Sequence, residues 1–202
     1  MSKVVLVTGA SSGIGKAIAT FLSAKGYIVY GTSRNPKNEK EFSFELIALD
    51  VLKLDTINTA VNYILEKEGR LDVLVNNAGM GITGPVEETP TDEMRAVFNT
   101  NLFGAIDVMK AVLPQMRKQN AGTIINVTSI AGYMGLPFRG LYSATKAALE
   151  IVTEAARIEV KNFGIQIVNV APGDFATNIA AGRYHTPVFE NSAYKEDYQT
   201  NL

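Results

Sequence analysis

Tyr142 and Lys146 are the pair of residues in this chain whose types and spacing could carry out proton-transfer chemistry. On a helix, residues four apart lie on one face, with Cβ atoms about 5–6 Å apart. A lysine charge about 4 Å from the phenol contributes at most about 4 kcal/mol at an effective dielectric near 20, enough to lower the phenol pKa by nearly 3 from its usual value of about 10. The phenol could then act as a general acid or base near neutral pH.

Ser129 follows a short apolar run, Thr123–Val127, that is typical of a buried strand. Ligands of open α/β sheets bind at the carboxyl ends of the strands, where a hydroxyl group could hold a substrate oxygen. Taken singly, each residue has an ordinary explanation: an amphipathic helix tyrosine, a solvated lysine and a loop serine. Their combination behind a glycine-rich loop favours catalysis.

The glycine-rich loop is the segment Thr8–Gly15, which follows the first apolar run and precedes a helix-period segment. In such a turn, backbone N–H groups and a helix N-terminus can face a pyrophosphate. The spacing G-x-x-x-G-x-G alone is also compatible with a tight turn that needs positive φ. The strand before it and the helix after it favour dinucleotide binding.

The end of the second apolar run determines which dinucleotide is expected. The stretch after it, residues 31–37, contains Arg34 and no acidic residue before Glu39. A carboxylate there would bind a ribose 2′-hydroxyl, whereas a guanidinium suits a 2′-phosphate. We therefore expect NADP(H) in preference to NAD(H), the alternative being a solvated loop arginine.

The elements that must position these residues alternate along the chain. Six short apolar runs predict buried strands at residues 4–7, 27–30, 46–49, 73–75, 123–127 and 165–170. Helix-period segments lie between them, at residues 14–25, 54–68, about 91–119 and 142–163. This alternation predicts an α/β fold with a parallel sheet and helices on both sides, in one domain over residues 1–202.

Composition excludes several classes of function. The chain has 202 residues, 47% of them hydrophobic, and a formal net charge of −1, which disfavours nucleic acid as a partner. It has no Cys and a single His, which excludes thiol chemistry and disfavours zinc sites and Ser-His-Asp triads. No stretch approaches the roughly 18 apolar residues of a membrane span, and no signal peptide is evident, so we expect a cytoplasmic protein.

Several independent motifs resemble the short-chain dehydrogenase/reductase family between Lys3 and about Thr177. The glycine loop is similar to the family's cofactor loop, and Asn76–Gly79 is similar to its N-N-A-G motif. Ser129 and the Y-x-x-x-K pair match its catalytic set. The resemblance implies a doubly wound Rossmann-type sheet of strand order 3-2-1-4-5-6.

The resemblance also implies a role for each catalytic residue. Tyr142 would exchange the proton, Ser129 would orient the carbonyl, and Lys146 would bind the nicotinamide ribose and lower the tyrosine pKa. Asn101 would help to hold a proton-relay water. Besides Tyr142 and Lys146, the implied cofactor-binding residues are Gly9, Ser11, Ser12, Gly13, Ile14, Gly15, Arg34, Asp50, Val51, Asn77, Ala78, Gly79, Pro172, Gly173 and Thr177. For Asn77 the alternative role implied by the resemblance is stabilisation of the central sheet.

The chain departs from the family pattern at its C-terminus. Family members are commonly longer and add a further helix and a seventh strand, so we expect that strand to be absent here and the chain to represent a longer protein. Residues 178–202 would begin a substrate-covering segment, and the sixth strand would be an uncovered apolar edge. A homo-oligomer is possible.

Apolar side chains near the catalytic residues indicate a hydrophobic alcohol or ketone as the substrate. They are Tyr133, Met134, Leu136, Pro137, Phe138, Phe175, Ile179, Tyr184 and Phe189. The run Gly132–Phe138 resembles the steroid and retinoid dehydrogenase branch, although ordinary core packing would explain the same residues. His185 is expected at the surface.

We therefore predict reversible, NADP(H)-dependent interconversion of a carbonyl and an alcohol, with no metal ion. Two alternatives remain open on the sequence. One is a non-catalytic nucleotide-binding sensor or regulatory protein, for which a tuned phenol would have no use. The other is dehydration or epimerisation with a bound cofactor, which would consume no net cofactor.

Overall fold

A computed structural model describes residues 2–36, 42–173 and 182–200. The strands are β1 (Val4–Val7), β2 (Ile28–Ser33), β3 (Glu45–Ala48), β4 (Val73–Asn76), β5 (Ile82–Thr83), β6 (Gly122–Val127), β7 (Ile165–Val170) and β8 (Tyr184–His185). The α-helices are α1 (Gly13–Ala24), α2 (Leu54–Glu68), α3 (Thr91–Phe98), α4 (Ala105–Gln119), α5 (Gly140–Glu159) and α6 (Lys195–Thr200). A π-helix spans Asn99–Gly104, and 3-10 helices span Ile130–Tyr133 and Lys161–Phe163.

The main sheet is parallel and runs in the order β3-β2-β1-β4-β6-β7. The alternation of strands and helices therefore produces the α/β, Rossmann-like sheet expected from the sequence. The order 3-2-1-4-5-6 is corrected, because the described residues contain eight strands and not six. Counted along the chain, the edge strand is the seventh, so the expectation of a missing seventh strand is wrong in that detail.

The two unexpected strands, β5 and β8, form a separate pair outside the main sheet. They pair in parallel, with Ile82 opposite Tyr184 and Thr83 opposite His185. Each contains only two residues, which is too short to give a recognisable apolar run. Their pairing brings residues 182–186 back to the loop that follows β4.

The core has two halves because alternate residues of each buried strand face opposite sides of the sheet. Val4 and Leu6 of β1 pack in a cluster with residues of α2 and α4, whereas Val5 and Val7 pack in a second cluster with Ala19 of α1. All four β1 side chains are buried. Helices therefore cover both faces of the sheet, as the continuous apolarity of the strands predicts.

The long helical segment predicted over 91–119 is divided in three by the π-helix between α3 and α4. This stretch has the length and composition of a helix that could cross a membrane, with a mean hydropathy of 1.2, although the sequence alone predicts no span. Val97, Val108, Val112 and Met116 of this stretch are fully buried in the protein core. A core helix has the same composition, so this feature is weak support for a membrane location.

Candidate active site

The glycine loop connects β1 to α1 in a conformation that needs glycine at two positions. Gly9 and Gly13 have φ values of 66° and 56°, in the left-handed region. The backbone N–H of Ala10 donates to the carbonyl oxygen of Thr32 on β2, at 2.8 Å. The loop is therefore held between β1 and β2, and α1 begins at its second positive-φ glycine.

A third glycine, Gly15, is needed because of close packing. A Cβ atom added there would collide with the carbonyl oxygen of Gly9 and with the side-chain amide of Asn77. That amide nitrogen donates to the carbonyl oxygens of Thr8, at 2.9 Å, and Gly9, at 3.2 Å. Asn77 therefore fixes the loop to the end of β4, which is a structural role of the kind foreseen for it.

A cleft of about 400 Å³ opens over this loop. Eleven of the residues expected to bind the cofactor line it: Gly9, Ser11, Ser12, Gly13, Ile14, Arg34, Asp50, Val51, Asn77, Ala78 and Gly79. Gly15 lies beneath the loop. Tyr142, Lys146, Pro172 and Gly173 are not among the lining residues, and Thr177 lies outside the described residues.

Seven lining residues were missed by the sequence reasoning: Thr32, Ser33, Leu49, Leu52, Met80, Thr100 and Gly182. Four of them directly flank predicted site residues at strand ends, and the parallel-strand rule could have included them. Gly182 carries no local signal. It reaches the cleft through the pairing of β5 with β8, which only the tertiary structure shows.

The shape of the cleft fits a dinucleotide. The glycine loop leaves no side chain between its backbone and the cleft at Gly9 and Gly13 and places the beginning of α1 beside it. Arg34 lines the cleft at the end of β2. The Asp50 carboxylate accepts a hydrogen bond from the backbone N–H of Leu52, at 3.0 Å, which holds the β3 end of the cleft in a fixed turn.

Lys146 lies on α5 and is not among the residues that line the cleft. Its side chain is buried, and Nζ donates to the carbonyl oxygen of Val127 at 2.9 Å. Nζ lies 5.8 Å from the centre of the Tyr142 ring. Burial lowers the pKa of Lys146 to about 8, and the charge of Glu150 acts in the opposite direction. The lysine is therefore poised to change its charge close to neutral pH.

Gly79 lies beside both the cleft and two of the predicted catalytic side chains. It lines the cleft, and a Cβ atom added to it would lie 3.2 Å from Asn101 Oδ1 and 3.8 Å from Lys146 Nζ. The absence of a side chain thus leaves the lysine ammonium next to the cleft. The predicted catalytic residues Asn101 and Lys146 are brought together here with the predicted cofactor site.

Asn101 lies inside the π-helix and is almost completely buried. Its amide nitrogen donates to the carbonyl oxygen of Met80, at 2.9 Å, and to Thr145 Oγ1, at 3.1 Å, and its Oδ1 accepts from the Met80 N–H at 2.8 Å. The side chain therefore joins the loop after β4 to α5. The relay role implied by the resemblance stays a prediction.

Ser129 begins the 3-10 helix that follows β6. Its Oγ accepts a hydrogen bond from the backbone N–H of Ala131, at 3.2 Å. The N–H of Ile130 donates to the carbonyl oxygen of Pro172, at 3.1 Å, which places the end of β7 beside this turn. This bond uses an acceptor position of Oγ, so it does not occupy the hydroxyl hydrogen.

The apolar residues expected around the substrate are only partly enclosed. Tyr133, Met134 and Phe189 are exposed, and the ring of Phe138 packs against Tyr198, with centroids 5.2 Å apart. Phe175 and Ile179 lie outside the described residues. His185 is exposed, at the position expected for a surface residue.

Comparison with known proteins agrees with this geometry. A family model described as short chain dehydrogenase matches residues 3–187. A 3-ketodihydrosphingosine reductase of Bacteroides thetaiotaomicron is 45% identical over 196 residues, which cover 97% of this chain and 71% of that protein.

Two solved structures are also similar. A short-chain dehydrogenase from Streptomyces avermitilis has a TM-score of 0.91 at 40% identity, covering all of this chain and 76% of its own. ElxO with NADP bound has a TM-score of 0.84 at 38% identity, covering 90% and 79%. With the family model matching most of its length, the chain belongs to the short-chain dehydrogenase/reductase family and is an oxidoreductase of that class.

Proposed function

We propose that this protein is an NADP(H)-dependent reductase that interconverts a hydrophobic ketone and its alcohol, with Tyr142 as the general acid or base. The observation that carries the proposal is the position of Lys146. Its buried Nζ lies 5.8 Å from the centre of the Tyr142 ring, and a Cβ atom added to Gly79, which lines the cleft, would lie 3.8 Å from Nζ. A cation in this place can act on the phenol and on a ligand in the cleft together.

When bound, the nicotinamide supplies or accepts a hydride at the substrate carbon. During reduction, Tyr142 donates its proton to the carbonyl oxygen, so that hydride and proton together give the alcohol. Lys146 stabilises the phenolate that remains. The hydroxyl hydrogen of Ser129 can be donated to the same carbonyl oxygen, since the bond from Ala131 uses an acceptor position of Oγ. Oxidation reverses these transfers.

Two observations support a preference for NADP(H). Arg34 lines the cleft at the end of β2, where a guanidinium can pair with a 2′-phosphate. The similar protein ElxO was solved with NADP bound.

The substrate class is suggested by the similar reductase. That protein is a 3-ketodihydrosphingosine reductase, and this chain is 45% identical to it. The segment between Ser129 and Tyr142 presents the exposed side chain of Met134, an apolar surface of the kind that a long-chain ketone can contact. The cytoplasmic location and the homo-oligomer remain predictions.

Direct titration with NADPH and NADH tests the cofactor site without needing the substrate. We expect NADPH to bind more tightly. In Arg34→Leu, loss of a charge-assisted contact should weaken NADPH binding by about 10- to 100-fold and leave NADH binding nearly unchanged. Arg157→Leu, at an exposed position of α5, is the matched control. Tighter binding of NADH by the unaltered protein would contradict the preference, and binding of neither would contradict the cofactor site.

Turnover is then measured with 3-ketodihydrosphingosine and a panel of shorter ketones. We expect one NADPH to be oxidised for each alcohol formed, with higher kcat/KM for the longer apolar chains. Product formation without net NADPH oxidation would instead indicate epimerisation or dehydration. A preference for short polar ketones would contradict the proposed substrate class.

A further inference from the structure

Glu150 is a buried carboxylate to which the proposed mechanism assigns no role. Its residue is only 8% exposed, and its Oε1 is buried without a hydrogen-bond partner in the part of the chain that the structure describes. A charged group in such a place is costly unless another charge compensates it. Glu150 lies four residues after Lys146 on α5, so the two side chains share one face of the helix.

The charges of Glu150 and Lys146 are complementary. Lys146 is only 5% exposed, and within the described residues its Nζ donates to a neutral backbone carbonyl, that of Val127. Desolvation favours the neutral amine and lowers the pKa of Lys146, while the carboxylate of Glu150 favours the ammonium. The carboxylate thus offsets part of the desolvation that Lys146 undergoes.

Glu150 also faces the turn that carries Ser129. The 3-10 helix Ile130–Tyr133 directly follows this serine. The negative charge of Glu150, and the hydrogen bond between its side chain and that of Tyr133, both raise the pKa of Tyr133. The turn packs closely on α5, because a Cβ atom added to Gly132 would lie 3.2 Å from the backbone nitrogen of Ala147. The turn after Ser129 therefore packs directly on the part of α5 that carries Lys146, and Glu150 interacts with Tyr133 at the end of the same turn.

The titratable neighbours of this pair are few in the described residues. Tyr142 faces Lys146, Tyr133 faces Glu150 from the 3-10 helix, and the charge of Glu154, on the exposed side of α5, also acts on Tyr133. The packed strand β7 contributes the neutral Asn169, whose amide donates to the Glu150 carbonyl oxygen at 3.4 Å. Among the described residues, Glu150 is thus the negatively charged group that acts on Lys146.

We propose that Glu150 is a positioning residue whose buried carboxylate, one helical turn from Lys146, keeps that lysine in its ammonium form. The inference rests on the role of Lys146 in the proposed reductase. It adds a residue that would touch neither substrate nor cofactor and that would act through Lys146.

The test measures the titration of Lys146 itself. Protein with ¹³C- and ¹⁵N-labelled lysine is titrated by NMR, with Lys146→Met identifying the signal. In Glu150→Gln we expect the midpoint for Lys146 to fall by about 1 pH unit or more, because the opposite charge is removed. Glu154→Gln, one turn further along the same helix and exposed, should leave this midpoint unchanged.

Rescue by the conservative variant separates charge from packing. Glu150→Asp keeps the carboxylate. The titration midpoint of Lys146 in this variant should therefore be closer to that of the unaltered protein than the midpoint in Glu150→Gln is. If Glu150→Gln does not fold, Glu150→Met, which is neutral and similar in length, supplies the same comparison. A Lys146 midpoint that is unchanged in the neutral variant would overturn the proposal.

A second measurement connects the pair to turnover. If the ammonium form is required, the fall of kcat at alkaline pH should begin at lower pH in Glu150→Gln, by the same amount as the NMR midpoint. The NMR result needs no substrate. If the protein reduces no ketone, the proposed function is contradicted, but the proposed effect of Glu150 on Lys146 is not. If the Lys146 midpoint is unchanged in Glu150→Gln, the effect of Glu150 is contradicted, but the proposed reductase function is not.

Discussion

At the residue scale, burial changes what Lys146 can do. The sequence argument treats it as a fixed cation that acts on Tyr142. In the structure, desolvation lowers its pKa to about 8, so its charge depends on pH within the range in which enzymes are assayed. The proposed chemistry therefore depends on what surrounds the lysine as well as on its spacing from the tyrosine.

Replacement of Tyr142 by phenylalanine should separate binding from chemistry. Removing the phenol oxygen deletes the proposed proton donor but little of the side chain, so we expect NADPH affinity to change by less than about threefold and kcat to fall by about 10²- to 10⁴-fold. Isothermal titration and steady-state kinetics check the two parts. Tyr27→Phe is the control, because Tyr27 directly precedes β2 and is distant from Tyr142 in the sequence. Substantial residual turnover in Tyr142→Phe would show that another group supplies the proton.

Lys146 should also leave a signature in the pH dependence of folding. The unfolded chain holds this proton up to its usual pKa of 10.5, whereas the folded chain releases it at about 8. Between these values the unfolded state binds more protons, so the free energy of unfolding rises with pH. We expect this contribution to be about 3 kcal/mol and to be absent in Lys146→Met.

Urea unfolding of the cofactor-free protein between pH 7.5 and 10 measures this difference. Other groups titrate in the same range, so the informative quantity is the unaltered protein minus Lys146→Met. Lys118→Met, at an exposed position of α4, should follow the unaltered protein. Parallel curves for all three proteins would show that the lysine titrates normally.

At the element scale, the connection between β1 and α1 depends on close packing between the backbone of Gly15 and the side chain of Asn77. Asn77 holds the glycine loop through two carbonyl oxygens, and Gly15 leaves the room that this contact needs. The cofactor loop and the end of β4 therefore form one unit.

Gly15→Ala should disrupt this unit. The added methyl group would displace Asn77 or the backbone at Gly9, and we expect a loss of about 1–3 kcal/mol of unfolding free energy together with weaker NADPH binding. Gly135→Ala is the matched control, because a Cβ atom there meets nothing within 4 Å. Denaturant unfolding and cofactor titration of both variants check the prediction, which fails if the two behave alike.

The π-helix between α3 and α4 is the second element that shapes the site. It places the Asn101 amide where it bonds to both the backbone N–H and the backbone carbonyl oxygen of Met80. The same amide also donates to Thr145 of α5. The apolar period of residues 91–119 predicts one regular helix. Periodicity could not reveal the interruption, because the hydrogen bonds that accompany it involve residues distant in sequence.

At the scale of the whole molecule, residues 182–200 return to β5 and to the loop before α5. β8 pairs with β5, and the buried hydroxyl of Tyr198 on α6 donates to the carbonyl oxygen of Thr83, at 3.0 Å. The ring of Tyr198 packs on Phe138, which precedes the catalytic helix α5. This segment therefore contacts both β5 and the loop that precedes α5.

Two substitutions measure how firmly the segment is attached. Tyr198→Phe removes one buried hydrogen bond and should cost about 1 kcal/mol, whereas Tyr198→Ala also removes the ring and should cost about 3–5 kcal/mol. Unfolding free energy and proteolysis within 182–200 report the effect. Tyr194→Phe, which loses an exposed hydrogen bond to Glu87, should be nearly neutral, and equal losses in all three variants would contradict the assigned packing.

The sequence alone determined the chemistry-bearing residues and the class of fold. Continuous apolar runs predict buried parallel strands, and five of the six predicted strands differ from those observed by at most one residue at either end. The exception is β2, which extends to Ser33. Local motifs likewise located most of the cofactor cleft, because strand ends and glycine turns are encoded within a few residues.

Only the tertiary structure decided how these parts meet. The burial of Lys146 beside Glu150, the hydrogen bonds of Asn101 and the pairing of β5 with β8 all join segments that no local pattern connects. Desolvation and long-range hydrogen bonding depend on every neighbour of a group. Residue spacing therefore determines which side chains are available for chemistry, and packing determines the charge and orientation with which they act.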